Sequence, residues 1–240
     1  MRHAIISDIH SNLEALVATL EAVDEEGADR VICLGDIVGY GANPNECIEI
    51  VRERCDIVIL GNHDAAACGE GYPVGFNPIA REAILWTREA LSGEGGDFLR
   101  SLPAIREVDG FLVVHGAISD PDKYVLSAFE AVSEFPLMDG LRLCFFGHTH
   151  MRMYFKLLDD RLDTYLDMEF RMEGGAKYMV NPGSVGQPRD RDPRSAHLVY
   201  DDEKGSIEFK RVRYDIEAAS KKILDAGLDS RLAARLAYGI

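Results

Sequence analysis

The chain has 240 residues, of which 47% are hydrophobic and 28% are charged, and these proportions are ordinary for a soluble globular protein. A chain of this length can bury a substantial core, and we expect one domain covering residues 1–240. Its 26 basic and 41 acidic residues give a net charge of -15. Such a field repels anionic membranes and nucleic-acid polymers, so neither is expected as a partner.

In chain order, the first part of the sequence alternates buried strands with amphipathic helices. Apolar runs predict three strands, over residues 3–7, 30–35 and 56–61. Between them, helical spacing of apolar residues predicts helices over 11–26 and 44–54, and Asn43 and Pro44 open the second as cap and first-turn proline. Almost wholly apolar strands that alternate with helices indicate a parallel sheet flanked by helices.

The remaining elements change in character along the chain. Residues 62–78 are rich in Gly, Ala and Asn and are interpreted as a functional loop. Helices are predicted near 78–92 and 95–102, and strands over 111–116 and 141–147. After residue 151 the pattern is typical of hairpins, with strand-like runs over 151–158, 161–170, 176–180, 196–201 and 206–214. Helical segments near 215–226 and 230–238 close an α/β domain whose sheets are parallel early and antiparallel late.

The five cysteines give no sign of a disulfide framework or a thiolate metal site, because their number is odd and no C-x-x-C pair occurs. Cys33 and Cys144 lie in apolar runs and are interpreted as small core residues. The first ten residues contain no apolar stretch of signal-peptide length, and no later run is long enough to cross a membrane. We therefore expect a cytoplasmic protein with reduced thiols.

Polar side chains follow five of the predicted strands, at the point where each strand ends. Because the carboxyl ends of parallel strands form the crevice where ligands bind, these side chains are expected to share one site. Nitrogen and oxygen ligands without a thiolate suit divalent manganese, iron, nickel, cobalt or zinc. In chain order the residues are Asp8, His10, Asp36, Asn62, His63, His115, His148 and His150.

Each of these motifs, taken alone, has a simpler explanation. D-x-H is common by chance, GNHD has the composition of a turn, His115 fits a buried core histidine, and GHTH fits a pair of polar strand caps. Together they are informative, because five of the seven histidines follow strands. His3 and His197 lie outside the pattern and are interpreted as structural or surface residues.

The ordered series D-x-H, GD, GNHD, H and GHTH resembles the calcineurin-like metallophosphoesterase superfamily. A later block, NPGSVGQ at residues 181–187, resembles its small bacterial and archaeal phosphodiesterase branch. The resemblance covers residues 5 to about 187 and implies a four-layer α/β/β/α sandwich, in which two mixed sheets pack together with helices outside. In this chain the series reads Asp8-x-His10, Gly35-Asp36, Gly61-Asn62-His63-Asp64, His115 and Gly147-His148-Thr149-His150.

The resemblance also implies a role for each of these side chains. It places Asp8, His10 and His150 on one metal ion and Asn62, His115 and His148 on a second, and it makes Asp36 the bridge between the two. His63 is the histidine that binds no metal and lies beside the phosphate. Two divalent ions are implied, with manganese favoured and iron, nickel, cobalt and zinc as alternatives.

The chemistry of these residue types agrees with that assignment. Two carboxylates and four neutral imidazoles leave a two-metal cluster with residual positive charge, which attracts phosphate in spite of the acidic surface. A water that bridges the cations becomes hydroxide near neutral pH and attacks phosphorus, and His63 protonates the leaving group. The predicted function is a metal-dependent phosphoesterase acting on a small phosphate ester, favoured as a phosphodiesterase.

Three alternatives to a phosphodiesterase stay open. A dinucleoside polyphosphate hydrolase or a serine/threonine protein phosphatase would use the same centre. A scaffold with a vestigial metal site is the alternative outside enzymes, although every ligand position is filled here.

One position departs from the protein-phosphatase branch, where an Asp three residues after the GD aspartate orients the active-site histidine. Gly39 stands at that place here, so another group must orient His63. Asp64 is the nearest acid in sequence, and a turn or cap role is as well supported for it as a functional one.

Two loops are candidates for contacts with the substrate. Tyr40 is expected either to cover the substrate or to pack against its own loop. In the NPGSVGQ block, main-chain amides of Gly and Ser are candidates for cradling an anion. Arg189 is a candidate for a bidentate phosphate contact, and the alternative is that residues 189–194 form an exposed charged turn.

Overall fold

The computed structural model describes residues 1–70 and 75–240. Two six-stranded mixed sheets form its centre. The first, sheet A, has the spatial order β3 (Ile57–Val58), β2 (Arg30–Cys33), β1 (Arg2–Ile6), β11 (Ser195–Asp201), β12 (Ser206–Val212) and β9 (Glu169–Arg171). The second, sheet B, has the order β4 (Ile105–Val108), β5 (Phe111–Val114), β6 (Leu143–Phe146), β10 (Lys177–Asn181), β7 (Met153–Leu158) and β8 (Arg161–Tyr165).

Within the described residues, eight α-helices and one 3-10 helix accompany the sheets. The 3-10 helix covers Phe135–Met138. The α-helices are α1 (Leu13–Glu26), α2 (Pro44–Arg54), α3 (Asn62–Cys68), α4 (Pro78–Ala90), α5 (Gly93–Arg100), α6 (Ala128–Ala131), α7 (Ile216–Asp225) and α8 (Ser230–Leu236).

The two sheets pack face to face through the residues that alternate along their strands. In β1, Ile5 faces the other sheet, whereas Ala4 and Ile6 face the helices. In β6, Phe145 faces sheet A and Phe146 faces the outer helical layer. Successive side chains of a strand point to opposite faces, so an uninterrupted apolar run is what a strand between two layers requires.

Helices cover the outer face of each sheet. On sheet A, α1 buries a stripe that includes Leu16, Leu20 and Val23, and it begins where the side chain of Asn12 accepts a hydrogen bond from the Ala15 N–H at 3.1 Å. On sheet B, α6 and the 3-10 helix supply Ala131, Phe135 and Met138 to the outer core. The expected four-layer α/β/β/α fold is thus confirmed.

The structure differs from the sequence-based elements in several places. Residues 62–68, predicted as part of a loop, form α3, and the part of that loop at 71–74 lies outside the described residues. Strand β4 was not predicted, because three of its four residues are exposed at a sheet edge. The short helix α6 was also missed, since one turn gives no periodic signal.

Across the described residues, no helix has the length and apolar character needed to span a bilayer. The five cysteines are all free thiols, as expected from their spacing.

Candidate metal centre

The polar strand-end residues converge from both sheets. Asp8 and His10 follow β1, Asp36 follows β2, and Asn62 begins α3 just beyond β3, so sheet A supplies four of them. Sheet B supplies the other three, which are His115 directly after β5 and His148 and His150 just after β6. All the carboxylates and imidazoles among them are at most 4% exposed. The site therefore lies at the edge where the carboxyl ends of the parallel strands of both sheets meet.

Three side chains form a first group on the β1 side of the site. Ligand atoms of Asp8, His10 and His150 lie within 4.8 Å of one another. The Nε2 atoms of His10 and His150 are 3.1 Å apart, and Nε2 of His150 is 3.4 Å from Oδ1 of Asp8. This spacing suits coordination of one ion, because metal–ligand bonds of about 2.0–2.2 Å place neighbouring ligand atoms roughly 3 Å apart.

A second group lies on the β5 side, and Asp36 connects it to the first. Asp36, His115 and His148 also have ligand atoms within 4.8 Å of one another. Oδ2 of Asp36 is 3.3 Å from Nε2 of His115 and 3.6 Å from Nε2 of His10, so this one oxygen faces both groups. His63 is a further neighbour, since its ring also lies within this range of His10 and Asp36.

Four histidines of the site each direct one ring nitrogen to a main-chain carbonyl. Nδ1 of His10, His115 and His150 faces the oxygens of Val38 (3.1 Å), Leu34 (2.8 Å) and Gln187 (2.6 Å). In His148 it is Nε2 that faces the oxygen of Asp122, at 3.1 Å. Because a carbonyl only accepts, each of these nitrogens carries the proton, and the opposite nitrogen keeps its lone pair for a ligand.

Several buried polar atoms in the site have no hydrogen-bond partner among the described residues. They include Oδ2 of Asp36, Oδ1 of Asn62 and Nε2 of His115. A buried acceptor without a partner is costly, on the order of 1–3 kcal/mol each. All three atoms are of types that bind a divalent cation, so the residues present fit such an ion.

The electrostatics of the cluster favour added positive charge. Burial raises the pKa of Asp8 to about 7, and the charge of Asp36 acts in the same direction. Burial would also raise the pKa of Asp36, but the neighbouring His115 and His63 hold it well below its usual range. Burial acts to lower the pKa of His115, yet the Asp36 carboxylate raises it to about 10, so without a cation Nε2 of His115 would hold a proton at the position offered to a metal ion. A cation between these groups would supply the same stabilisation.

The backbone of the site is held in the left-handed region at five of the seven predicted ligands. The φ angles are 54° at Asp8, 50° at His10, 52° at Asp36, 66° at His148 and 58° at His150. Residues other than glycine rarely adopt this conformation, and it clusters at functional sites. These turns therefore direct the side chains into the cluster, although the backbone conformation that this requires is locally unfavourable.

Gly61 permits the closest approach of two of these turns. A Cβ atom at this position would collide with Oδ1 of Asp36. The same carboxylate oxygen accepts a hydrogen bond from the main-chain N–H of His63 at 2.8 Å. The start of α3 is in this way attached directly to Asp36.

His63 is positioned by packing. A Cβ atom on Gly39, whose φ is +92°, would lie 2.5 Å from Nδ1 of His63, so the imidazole lies directly over this glycine. The ring stacks on Phe76 at 4.6 Å and contacts the Tyr40 ring at 4.5 Å. Its Nδ1 is buried without a hydrogen-bond partner among the described residues. Burial lowers the pKa of His63 to about 4, which keeps the imidazole neutral at pH 7 in the absence of an anion beside it.

Asp64 has a structural role. Its carboxylate accepts hydrogen bonds from the main-chain N–H groups of Val38 (3.0 Å) and Gly61 (3.2 Å). These bonds cap α3 and connect it to the loop after β2. The sequence left open a cap role and a functional role for Asp64. The structure shows the cap role, and Asp64 does not orient His63.

The NPGSVGQ block connects two turns of the site through hydrogen bonds. The N–H groups of Val185 and Gly186 donate to the main-chain oxygens of Ser7 and Asp8 at 2.9 and 3.0 Å. The N–H of Gly183 donates to the side chain of Asn181 at 2.9 Å, and the Asn181 amide in turn donates to the oxygen of Gly147 at 2.7 Å. The amides of Gly183, Val185 and Gly186 are therefore not free to cradle an anion, because they join the turn after β1 to the GHTH turn.

Tyr40 and Arg189 lie together at the side of the first group. The Tyr40 ring is 6% exposed and packs on His10 at 4.7 Å, which agrees with the packing alternative. The guanidinium of Arg189 lies 5.9 Å from the Tyr40 ring centroid, and its Nη2 is 3.0 Å from Oε1 of Gln187. Arg189 thus lies at the metal centre, and no carboxylate pairs with it within the described ranges.

A cavity of about 170 Å³ opens over Asn62, His63 and His148. Phe76, Asp122 and Tyr124 also line it, and no sequence motif marks them as functional. The Tyr124 ring lies 4.0 Å from that of His148. The fully buried Glu134 carboxylate holds this wall through hydrogen bonds from the Ser119 N–H (2.9 Å) and Lys123 Nζ (2.8 Å).

His3 and His197 are both buried and both outside the site. Their Nε2 atoms lie 3.2 Å from Asp202 and 3.0 Å from Glu26, respectively. Both are therefore structural residues, and the alternative that they lie on the surface is wrong.

The fold and this cluster are those of a metallophosphoesterase. Residues 1–204 match the family model of the calcineurin-like phosphoesterase superfamily domain, and the chain belongs to this superfamily. The resemblance drawn from the sequence motifs is confirmed. Membership supports a phosphoester hydrolase, and the His/Asp cluster is suited to divalent metal ions.

Particular relatives extend this likeness over the whole chain. An uncharacterized protein of Methanocaldococcus jannaschii is 40% identical over 244 residues, covering 98% of this chain and 97% of the relative. A metallophosphoesterase from Sphaerobacter thermophilus is 39% identical, with a TM-score of 0.88 and 100% coverage of both chains. A hypothetical protein from Pyrococcus horikoshii OT3 shares the fold at 22% identity, with a TM-score of 0.82 over 100% of this chain and 98% of its own.

Proposed function

We propose that this protein is a phosphodiesterase that uses two divalent cations to hydrolyse a small phosphate ester. The observation that carries the proposal is the convergence of the four histidines whose proton is held by a main-chain carbonyl. Each leaves its other nitrogen for a ligand, next to the unpartnered oxygens of Asp36 and Asn62. Manganese is the favoured metal, and iron, nickel, cobalt and zinc suit the same ligand types.

The two groups support an arrangement of the ligands in two positions. Asp8, His10 and His150 would hold one cation, Asn62, His115 and His148 would hold the other, and Asp36 would contact both. When bound, two divalent ions lower the pKa of a water between them and supply positive charge for the phosphoryl oxygens.

The chain's own residues orient the substrate and exclude water. The cavity of about 170 Å³ over the second group would hold the ester, with Phe76 and Tyr124 as apolar walls. Arg189 and the Tyr40 hydroxyl lie 3.5 Å apart at the side of the first group, where they would bind a non-bridging phosphoryl oxygen. Because Arg189 has no acidic partner among the residues that the structure describes, its charge is available to an anion.

His63 is the candidate for the proton that the leaving alkoxide requires. Its ring lines the same cavity, and its Nδ1 has no partner among the described side chains and main chain. An anionic phosphoryl group beside it would raise its affinity for a proton above that of the free protein. The proposal of a metal-dependent phosphoesterase does not depend on this role.

A diester is favoured over a protein substrate for two reasons. Gly39 stands where the protein-phosphatase branch has the acid that orients the histidine. The imidazole of His63 packs over this glycine. The NPGSVGQ block resembles the phosphodiesterase branch and here holds the Asp8 and GHTH turns in place. The reducing cytoplasm is the proposed location, in keeping with the free cysteines.

The test is a metal-reconstitution assay. Protein freed of metal by chelation and dialysis is assayed with bis(p-nitrophenyl) phosphate and p-nitrophenyl phosphate, before and after addition of Mn²⁺, Zn²⁺ or Co²⁺. We expect turnover only with metal, about two equivalents of metal per chain, and preference for the diester. A lack of metal-dependent turnover on both esters would refute the proposed activity, and preference for the monoester would refute the diester assignment.

A further inference from the structure

A second cavity, of about 390 Å³, lies beside the metal centre and is lined by an unusual concentration of arginine. Five arginines and two aspartates face it, a local charge of +3 in a chain whose net charge is -15. The arginines are Arg152, Arg189, Arg191, Arg194 and Arg211. We call this the arginine cavity.

The two aspartates neutralise only part of this charge. Arg211 forms an ion pair with Asp190, and Arg194 pairs with Asp192 at 2.6 Å. No carboxylate lies within ion-pair distance of Arg152, Arg189 or Arg191 anywhere in residues 1–70 and 75–240. Three guanidinium groups thus face one cavity without a counter-charge. Repulsion between like charges makes such an arrangement unfavourable unless an anion binds there.

Arg152 and Arg191 are held in defined positions. Nη1 of Arg152 donates to the main-chain oxygens of Leu166 (2.7 Å) and Asp167 (2.9 Å), and its guanidinium lies 5.3 Å from the ring centroid of Phe209. The main-chain N–H of Arg191 donates to the oxygen of Gly239 at 2.8 Å, with φ at 65°. The side chain of Arg152 and the main chain of Arg191 are thus both held by main-chain contacts.

The arginine cavity is continuous with the catalytic side of the molecule through Arg189. The main-chain N–H of Arg189 donates to the oxygen of His150 at 3.1 Å, and its side chain reaches Gln187 and Tyr40. Arg152 follows His150 by two residues. A ligand in the arginine cavity would therefore lie on the side of the first group, where Arg189 would contact a phosphoryl oxygen of the ester.

We propose that the arginine cavity binds a second phosphoryl group of the substrate, so that the natural substrate is an organic phosphodiester carrying a further phosphate. This inference rests on the proposed phosphodiesterase function. The planar guanidinium fork matches phosphate oxygens in bidentate geometry, which explains arginine in place of lysine throughout the cavity. Met151, Leu166 and Met168 form the apolar side, which suits the organic part that joins the two phosphates.

The kinetic test compares two chromogenic esters that differ only in a distant phosphate. They are thymidine 5′-(p-nitrophenyl phosphate) and the same compound phosphorylated at the 3′ oxygen. We expect the manganese-loaded protein to have a kcat/KM about tenfold higher for the doubly phosphorylated ester, the effect of one charged hydrogen-bonding contact. Arg191→Gln should reduce that ratio towards one. Arg106→Gln, which removes the same charge from an exposed position of β4, should leave the ratio unchanged.

A binding measurement decides the inference even if no ester is cleaved. Metal-free protein is titrated calorimetrically with inorganic pyrophosphate, and we expect binding that Arg191→Gln weakens about tenfold and Arg106→Gln does not. Arg152→Lys retains the charge and the apolar stem, and it should weaken binding by losing the fork. Equal effects of Arg191→Gln and Arg106→Gln, or no binding by the wild type, would overturn the arginine cavity as a phosphate site. Absence of turnover together with pyrophosphate binding would overturn the phosphodiesterase and keep the site.

Discussion

Replacing Gly39 with alanine is expected to displace His63 without touching a metal ligand. The added Cβ atom would lie 2.5 Å from Nδ1 of His63 and 3.2 Å from its Cγ. An ordinary contact between such atoms is about 3.5 Å, so the ring would have to retreat by about 1 Å. The rings of Phe76 and Tyr40, at 4.6 and 4.5 Å, limit the directions in which it can move.

Two separate effects follow from this substitution. A residue other than glycine at φ +92° costs on the order of 1–2 kcal/mol of stability. Displacement of a reacting group by about 1 Å costs on the order of 100-fold in rate. Gly39→Ala should therefore lower kcat for a phosphodiester by about two orders of magnitude, with only a few degrees lost in the thermal unfolding midpoint.

The assay separates the position of the ring from the strain of the backbone. Gly110 has a φ of +87° in the turn between β4 and β5, and none of the described atoms lies within 4 Å of a Cβ built there. Gly110→Ala therefore carries the same backbone penalty without the contact. Both variants are measured for kcat on bis(p-nitrophenyl) phosphate, for metal content by mass spectrometry, and for the unfolding midpoint.

The reasoning is refuted by either of two results. If Gly39→Ala retains the wild-type kcat, close packing over Gly39 does not position His63 for the reaction. If its metal content falls in parallel with its activity, the substitution has disturbed the centre as a whole. Equal losses of activity in Gly39→Ala and Gly110→Ala would trace the effect to general destabilisation.

Three further substitutions test other parts of the site. Asp36→Asn should remove at least one equivalent of metal and nearly all turnover, measured by metal analysis and kcat; full metal content would refute the bridging position. His63→Gln should keep its metals and lose more rate for poor leaving groups than for p-nitrophenolate, whereas an equal loss across leaving groups would argue against proton donation. Burial would raise the pKa of Glu134, but Lys123 and Ser119 lower it below 4.5. The resulting stabilisation is present above the unfolded-state pKa and is lost as pH falls through the folded-state value. Glu134→Ala should therefore lose about 2 kcal/mol in urea unfolding at pH 7 and less at pH 4, and a pH-independent loss would contradict this account.

The sequence predicted the convergence of these side chains, because most of the motifs closely follow an apolar strand. Asp8 comes two residues after β1, and His115 comes immediately after β5. Such a position is determined by local pattern and by the general rule for the carboxyl ends of strands. That these strands belong to two different sheets came only from the family resemblance, since an apolar run does not identify its neighbours.

The parts that were missed depend on main-chain groups or on distant pairings. The oxygen of Asp122 fixes the tautomer of His148, and any residue type would supply that oxygen. The arginine cavity joins Arg152, Arg191 and Arg211, which lie far apart in the chain and meet only through the packing of sheets and turns. The NPGSVGQ block has the composition of an anion site, but the amides of Val185 and Gly186 donate to main-chain oxygens of Ser7 and Asp8, which the sequence does not reveal.

The left-handed turns at five of the predicted ligands lower the stability of the folded protein. Glycine at Asp8, His10, Asp36, His148 or His150 would relieve about 1 kcal/mol of backbone strain each time, and it would remove a predicted ligand as well. A lineage released from the need to cut phosphate esters would gain stability with such a loss. The gain is smaller at Asp8 and Asp36, whose carboxylates also accept main-chain hydrogen bonds, but at the histidines it gives a thermodynamic route by which an enzyme of this architecture becomes a binding scaffold.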